Sequence, residues 1–274
     1  MTDKSEQKKQ VQKKKVQWKN LLARLLLIIV LSSLVIVASV FVNWLVKPGN
    51  FPFKKVELVN QLANQESREL QEVAAKVLNG GFFSLNVDYF RQDLLAKLPW
   101  VKMVSVRKVW PDKLLIEITE YRPVVRWQSV DKTLHLLSQE GVIFSPRLTM
   151  NQKEKFARLA LFSGPESSAE TVLQQCFTMN NNLKKIALTI KKCGMNKRRA
   201  WFLELTSTEV NLLDDIDIQL GKENVMQQLE RFVQVFSGKL KRYLSSIERV
   251  DLRYANGFSV KWNEVSKRNE SKIK

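Results

Sequence analysis

From Leu25 to Val46 the chain carries no charged residue, and the run LLLIIVLSSLVIVASVFVNWLV is filled mostly by Leu, Ile, Val and Phe. As a helix rising about 1.5 Å per residue it would be about 33 Å long, enough to cross a hydrocarbon layer of ~30 Å. Trp18 and Trp44 flank the run, as aromatic residues do at membrane interfaces. Ahead of it stand Lys4, Lys8, Lys9, Lys13, Lys14, Lys15, Lys19 and Arg24, and the basic side of such a segment stays in the cytoplasm. The pattern predicts a cytoplasmic tail over residues 1–24, a transmembrane helix over 25–46 and a carboxy-terminal part outside the cytoplasm, the single-pass type II arrangement. A cleaved signal peptide is the competing reading, with Val37, Ala38 and Ser39 as a small-residue cleavage site. Its apolar core would run only ~7 to 15 residues, which favours a retained anchor.

With that helix set aside, the rest of the 274 residues suffices for two small folding units. Apolar residues make up 45% and charged residues 26%, an ordinary globular mixture. The net charge of +18 raises the question of nucleic acid, but eight of the basic residues lie within 1–24 against only Asp3 and Glu6. The remaining charge is spread, with no basic stripe interleaved with aromatics, so a surface beside anionic lipid accounts for it and no nucleic-acid partner is expected. Cys176 and Cys193 form no CxxC pair and have no cysteine-histidine grouping, so no structural metal is expected. In an oxidising compartment they could bridge, but the sequence does not fix whether their Cα atoms lie within the ~4.4 to 6.8 Å required.

Lys47-Pro48-Gly49-Asn50 ends the apolar helix and opens a juxtamembrane linker. A first folding unit over 53–121 then reads β-α-α-β-β. Val56 to Val59 is a strand, and Leu70, Val73, Ala74 and Val77 follow at helical spacing with Gly80-Gly81 as the stop. Asp88 caps a second helix with Phe90, Leu94 and Leu98 on one face, ended by Pro99. Val104 and Val106 alternate with polar residues, Trp110-Pro111-Asp112 turns the chain, and Leu114, Ile116 and Ile118 form the last strand.

The second unit, 122–263, reads as a mixed β domain with flanking helices, which makes the fold class α+β. Strands are expected over Val124 to Gln128, Thr133 to Leu137, Leu188 to Lys191, Trp201 to Thr206 and Asp217 to Leu220. Helices are expected over Ala169 to Leu183 and Val225 to Ser237, whose apolar stripes are core. At the end, Asp251 to Tyr254 and Phe258 to Trp262 flank Ala255-Asn256-Gly257, which reads as a hairpin with the positive φ angles of a tight I′ turn at Asn-Gly. The polar tail 264–274 reads as disordered.

Little in the sequence points to catalysis. His135, the single histidine, sits in a strand pattern with nothing nearby to orient it as a base, and is expected to be structural. There is no GxSxG elbow and no P-loop. An S-x-x-K motif at Ser5 to Lys8 lies in the charged tail, and the S-D-N and K-T-G motifs that support penicillin-binding transpeptidation are missing. Asp214 and Asp215 could imitate a glycosidase pair, yet neighbours on a strand point to opposite faces, so they read as a solvated turn. No enzyme activity, cofactor or small-molecule substrate is expected.

Leu98-Pro99-Trp100-Val101, continuing through Val104 to Lys108 and Trp110-Pro111-Asp112 to Glu120, Pro123 and Trp127, resembles the POTRA signature of the FtsQ/DivIB family. Gly141-Val142-Ile143-Phe144, Gly164-Pro165, Arg198 to Trp201, Leu220-Gly221-Lys222 and Arg231-Phe232 resemble later family blocks in the same order. Asp251 to Tyr254 with Gly257-Phe258 and Trp262 completes the series. The resemblance implies a cell-division scaffold of the inner membrane, located at the septum. Such a scaffold binds FtsB and FtsL in the periplasm and links early cytoplasmic division proteins to later septal-wall synthesis. No cofactor is implied.

Carried over by position, the partner-binding residues would be Arg198, Arg253, Tyr254, Asn256, Gly257, Phe258 and Trp262. A recruitment surface would include Met103, Val106 and Lys108 on the second POTRA strand. The terminal strand of a sheet offers unpaired N–H and C=O groups, which suits acceptance of a partner strand. The alternative function is a POTRA-type chaperone for outer-membrane protein assembly. Repeated POTRA units and alternating barrel strands, which would mark such a chaperone, are not evident.

Overall fold

A computed structural model describes residues 3–64, 67–209 and 215–263, with side chains described from Arg24 onward, Ser67 excepted. Asp214, the tail 264–274 and the side chain of Trp18 therefore lie outside the described residues. Two compact units emerge, one of residues 1–97 with 103–119 and one of residues 98–102 with 120–274.

The first unit begins with α1 (Asp3–Val46), which takes the basic segment into the same helix as the apolar run. Its Arg24–Val46 stretch is long and apolar enough to cross a membrane, and none of it is buried. Ser32, Ser33 and Ser39 donate their hydroxyls to the carbonyls of Ile29, Val30 and Val35, so these hydroxyls are satisfied locally. The segment after the helix is folded, whereas the sequence suggested a plain linker. The Asn50 side chain donates to the Trp44 carbonyl at 2.6 Å and its backbone N–H to Lys47 at 3.1 Å, capping the helix end.

The POTRA unit follows in the expected order: β1 (Lys55–Leu58), α2 (Ser67–Val77), α3 (Val87–Lys97), β2 (Val101–Val109) and β3 (Lys113–Glu120). The sheet order is β1-β3-β2, with β1 parallel to β3 from Lys55↔Lys113 to Leu58↔Ile116. The alternation read from the sequence sends Leu114, Ile116 and Ile118 inward, where they are buried with Leu70, Ala74, Phe90 and Leu94. The expected cap of α3 is corrected. The Asn86 side chain accepts from the backbone N–H of Asp88 and Tyr89, at 3.0 and 3.2 Å, and so caps the helix that Asp88 was expected to cap.

The second unit is built on a nine-stranded sheet. Its elements are β4 (Pro123–Gln128), β5 (Leu134–Ser138), β6 (Ile143–Phe144), α4 (Met150–Ala157), β7 (Leu161–Ser163), α5 (Ala169–Lys184), β8 (Leu188–Met195), β9 (Trp201–Ser207), β10 (Ile216–Gly221), α6 (Val225–Val235), β11 (Ile247–Asp251) and β12 (Ser259–Trp262). The strand order is β12-β11-β10-β9-β8-β7-β4-β5-β6. The pairs β4–β7, β7–β8 and β10–β11 are parallel and the others antiparallel, which makes the sheet mixed.

The expected stripes of α5 and α6 do face the core: Val172, Cys176, Met179 and Leu183 from α5, and Leu229 and Phe232 from α6, are fully buried. They pack with Trp127, Phe162, Leu203 and Ile218 of the strands. The question the cysteine count left open is answered here. Cys176 of α5 and Cys193 of β8 form a disulfide with Cα atoms 6.2 Å apart, within the usual span for a bridge.

Candidate functional site

The terminal hairpin differs from its expected form. Strands β11 and β12 pair from Ile247↔Trp262 to Asp251↔Ser259, so Leu252 to Phe258 form the connection. Among the described glycines only Gly80, Gly141 and Gly221 have positive φ. Asn256 and Gly257 therefore do not make the I′ turn, which needs positive φ at both central residues. Tyr254, Asn256 and Gly257 belong to a wide loop instead of a tight turn at the end of two strands.

That loop is held at several points. Leu252 is buried and donates its backbone N–H to Gln219 at 2.8 Å. Arg231 of α6 donates to the Ala255 carbonyl at 2.8 Å, and Phe258 meets the Phe232 ring edge-on at 6.0 Å. Tyr254, 57% exposed, projects from this fixed frame. Sequence reasoning singled out Tyr254 and Phe258 but not Arg231 and Phe232 as their support, although Arg231-Phe232 is among the quoted family blocks.

Arg253 is not a free cation. Its Nε and Nη2 donate to the two carboxylate oxygens of Asp251 at 2.8 and 2.5 Å, a two-pronged pairing. The guanidinium beside it holds the Asp251 carboxyl below the usual carboxylate range, helped by the Arg253 backbone N–H. A depressed folded pKa contributes stability that is present above the unfolded value and is lost as pH falls through the folded one. The amide resonances of Tyr254 and Ala255 should thus hold steady from neutral pH down to about pH 4 and shift only below it. Movement near pH 6 would show that another group controls the loop.

β12 is an edge of the nine-stranded sheet. Val260 and Trp262 pack partly against the core, while Ser259 and Lys261 face outward. Trp262 is thus neither a plain core tryptophan nor a free one: its ring meets Tyr243 edge-on at 5.9 Å. Lys261 pairs with Glu248 of β11, and the Asn263 backbone N–H donates to Ser246 at 2.8 Å, fastening the strand end.

Arg198 lies in the exposed turn between β8 and β9. Trp201 at the start of β9 pairs with Gly221 at the end of β10, and Gln219 of β10 pairs with Asp251 at the end of β11. The sheet therefore brings Arg198 to the same end as the 252–258 loop. Strand spacing of about 4.8 Å separates the two turns by roughly 10 to 20 Å.

The other nominated surface is β2, an edge of the three-stranded sheet. Met103 is 58% exposed and Val106 half-buried. Lys108 is engaged internally, donating its ammonium to the carbonyls of Phe82 and Leu85 at 2.9 and 2.8 Å, and burial lowers its pKa. It shapes the unit and is not a cation displayed to a partner. Ser105 and Lys108 also form an S-x-x-K spacing that the sequence reading passed over. On a strand, residues three apart point to opposite faces, and this lysine is already committed, so the pair does not make a nucleophile and base. Two further matches are Ser129 to Lys132, in the turn after β4 where the Ser129 hydroxyl donates to Glu166 at 3.3 Å, and Ser271 to Lys274, which lies outside the described residues.

Elsewhere, His135 has both ring nitrogens in hydrogen-bond contact with hydroxyls, Thr133 at 2.7 Å and Ser145 at 2.5 Å, a structurally satisfied imidazole. Among the described residues no group of three His, Cys, Asp or Glu could hold a metal ion.

The β-α-α-β-β unit and the open-edged mixed sheet that follows it in the chain define a POTRA protein with a carboxy-terminal β domain. Residues 51–121 match the family model for the POTRA domain, FtsQ-type, and residues 125–253 that for cell division protein FtsQ/DivIB, C-terminal. The chain is 33% identical to the cell division protein FtsQ of Coxiella burnetii over 216 residues, covering 78% of this chain and 82% of that one. It is 32% identical to FtsQ of Escherichia coli over 239 residues, covering 85% and 81%. The chain belongs to the FtsQ/DivIB family of cell division proteins.

Proposed function

We propose that the chain is a non-catalytic scaffold of the division machinery, held in the inner membrane by Arg24–Val46 with its amino terminus in the cytoplasm. Two exported modules, 53–121 and 122–263, act in the periplasm. The second receives an extended segment of FtsB, in complex with FtsL, by addition of a strand to β12. The observation that carries this reading is the edge position of β12 beside a fixed loop that displays Tyr254. Edge N–H and C=O groups supply affinity, and the side chains at 253, 254, 256, 258 and 262 with the backbone at Gly257 set register, with Arg198 as a second cation at the same end. Met103 and Val106 offer a separate recruitment surface, which Lys108 supports from within.

Replacing Tyr254 by alanine should cost about 2 kcal/mol of binding to an FtsB periplasmic peptide, or about 30-fold in Kd. The melting temperature should not change, because the ring is mostly exposed. Titration of the purified full chain in nanodiscs, with thermal unfolding followed in parallel, measures both. Arg253→Glu should weaken binding as well, and it also places a second carboxylate beside Asp251, so its melting curve separates the two effects. Unchanged affinity in both variants would place FtsB elsewhere.

A further inference from the structure

Six aromatic rings gather at the foot of α1. Trp44, in its last turn, meets Phe51 edge-on at 5.4 Å, and Phe51 meets Phe83 at 5.1 Å and Trp110 at 6.0 Å. Phe82 lies 5.3 Å from both Phe83 and Trp110, and Phe53 lies 5.9 Å from Phe82. Although packed together, Trp44, Phe83 and Trp110 remain 47%, 45% and 60% exposed.

The arrangement is fixed. The Phe82 backbone N–H donates to the Phe51 carbonyl at 2.8 Å, and the Asn50 side chain caps Trp44. Gly81 comes so close that an added Cβ would lie 2.7 Å from the Phe51 carbonyl oxygen and 3.0 Å from that of Pro48. The Gly81–Ser84 loop and the β2–β3 turn are thereby fastened to the end of the apolar helix.

We propose that this cluster seats the POTRA unit on the outer face of the membrane, with the lipid headgroup layer as its partner. The inference rests on the reading that Arg24–Val46 spans the bilayer. The interfacial layer is about 5 to 8 Å thick on each side, and the cluster begins at Trp44, where the apolar helix ends. Phe51 and its neighbours lie one and two ring contacts beyond that point. Tryptophan is favoured in this layer because its apolar body and polar N–H suit the two sides of the boundary. Lys47, Lys54 and Lys55, exposed residues close in sequence to the cluster's members, suit anionic headgroups, although Lys54 also pairs with Asp112 at 3.7 Å. The first unit would then stand at a set height and tilt on the membrane.

The test uses the full chain reconstituted in vesicles of phosphatidylethanolamine and phosphatidylglycerol, with a nitroxide attached at Phe83→Cys, Trp110→Cys, Ile36→Cys or Met103→Cys. Cys176 and Cys193 are bridged and buried, so they take no label. Met103 lies about 23 Å from Trp110 along β2 and serves as the solvent reference. Labels at 83 and 110 should collide more often with oxygen than with an aqueous nickel complex, as the label at 36 does, while the label at 103 shows the reverse. If 83 and 110 behave like 103 while 36 reads apolar, the seating is wrong and the spanning helix stands. If 36 also reads aqueous, both fail. Shielding of 83 and 110 that arises only when an FtsB peptide is added would make the cluster a protein interface and overturn the lipid assignment.

Discussion

Replacing Cys176 and Cys193 together by alanine should lower the melting temperature of the second unit by about 10 °C. The bridge closes a loop across a sequence separation of 17, and cross-links of this span stabilise by about 3 kcal/mol, largely by restricting the unfolded chain. In a unit of this size each kcal/mol corresponds to a few degrees. Both residues are fully buried in the contact between α5 and β8, so the shortened side chains also leave a void that adds to the loss. Calorimetry of the double variant beside the parent, each with and without reductant in the unfolding buffer, gives the comparison. Reductant should lower the parent toward the variant and leave the variant where it is. Equal melting temperatures for the two proteins would show that the thiols are not joined.

Phe232→Ala should be more damaging still, at about 3 to 5 kcal/mol, the range for removal of a fully buried phenylalanine. The ring sits between Phe236 at 5.4 Å and Phe258 at 6.0 Å, so its loss affects the α6 core and the support of the 252–258 loop together. Phe232→Leu keeps most of the volume and should cost about 1.5 kcal/mol or less. Chemical denaturation would rank the three proteins. FtsB-peptide binding by the leucine variant, well below its melting temperature, tests whether the loop needs the aromatic edge or only a filled core. Full affinity in that variant would mean that volume suffices.

The elements that were legible in the sequence are those whose local pattern and tertiary surroundings agree. Leu114, Ile116 and Ile118 alternate because one face of β3 is buried and the other is not, and the α5 stripe keeps its spacing because one face lies on the strands. β11 was expected four residues too late, at Asp251 to Tyr254, because a register shift between Ile247 and Arg249 breaks the alternation expected of a strand. β7, only three residues long, is too short for a period to show. α4 carries a readable signal that was passed over: Thr149 and Gln152 form a reciprocal capping box, ahead of a helix with a single buried residue, Phe156.

The Asn256-Gly257 pair misled for the opposite reason. Its local preference for a tight turn is strong, but burial of Leu252 and seating of Phe258 on Phe232 hold the ends of a wider loop, and tertiary packing outweighs the dipeptide. Arg253 was expected only as a partner-binding residue, because nothing in a linear pattern shows a residue two positions earlier turning its carboxylate onto it. The partner-facing residues could be listed from position alone, whereas their support from Arg231, Phe232 and Asp251 required the fold.

The two edges of the large sheet are unequal. At one end β6 is two residues long, Ile143 and Phe144, too short to template another chain, while β12 at the other end spans four. Growth of the sheet is therefore possible in one direction only. A strand that pairs with β12 occupies the one usable edge of this sheet, so the large sheet has no second end from which the same copy could extend it. Pairing at that edge is self-limiting, with one added strand per copy, and two copies joined through it would form a closed pair and not a fibre.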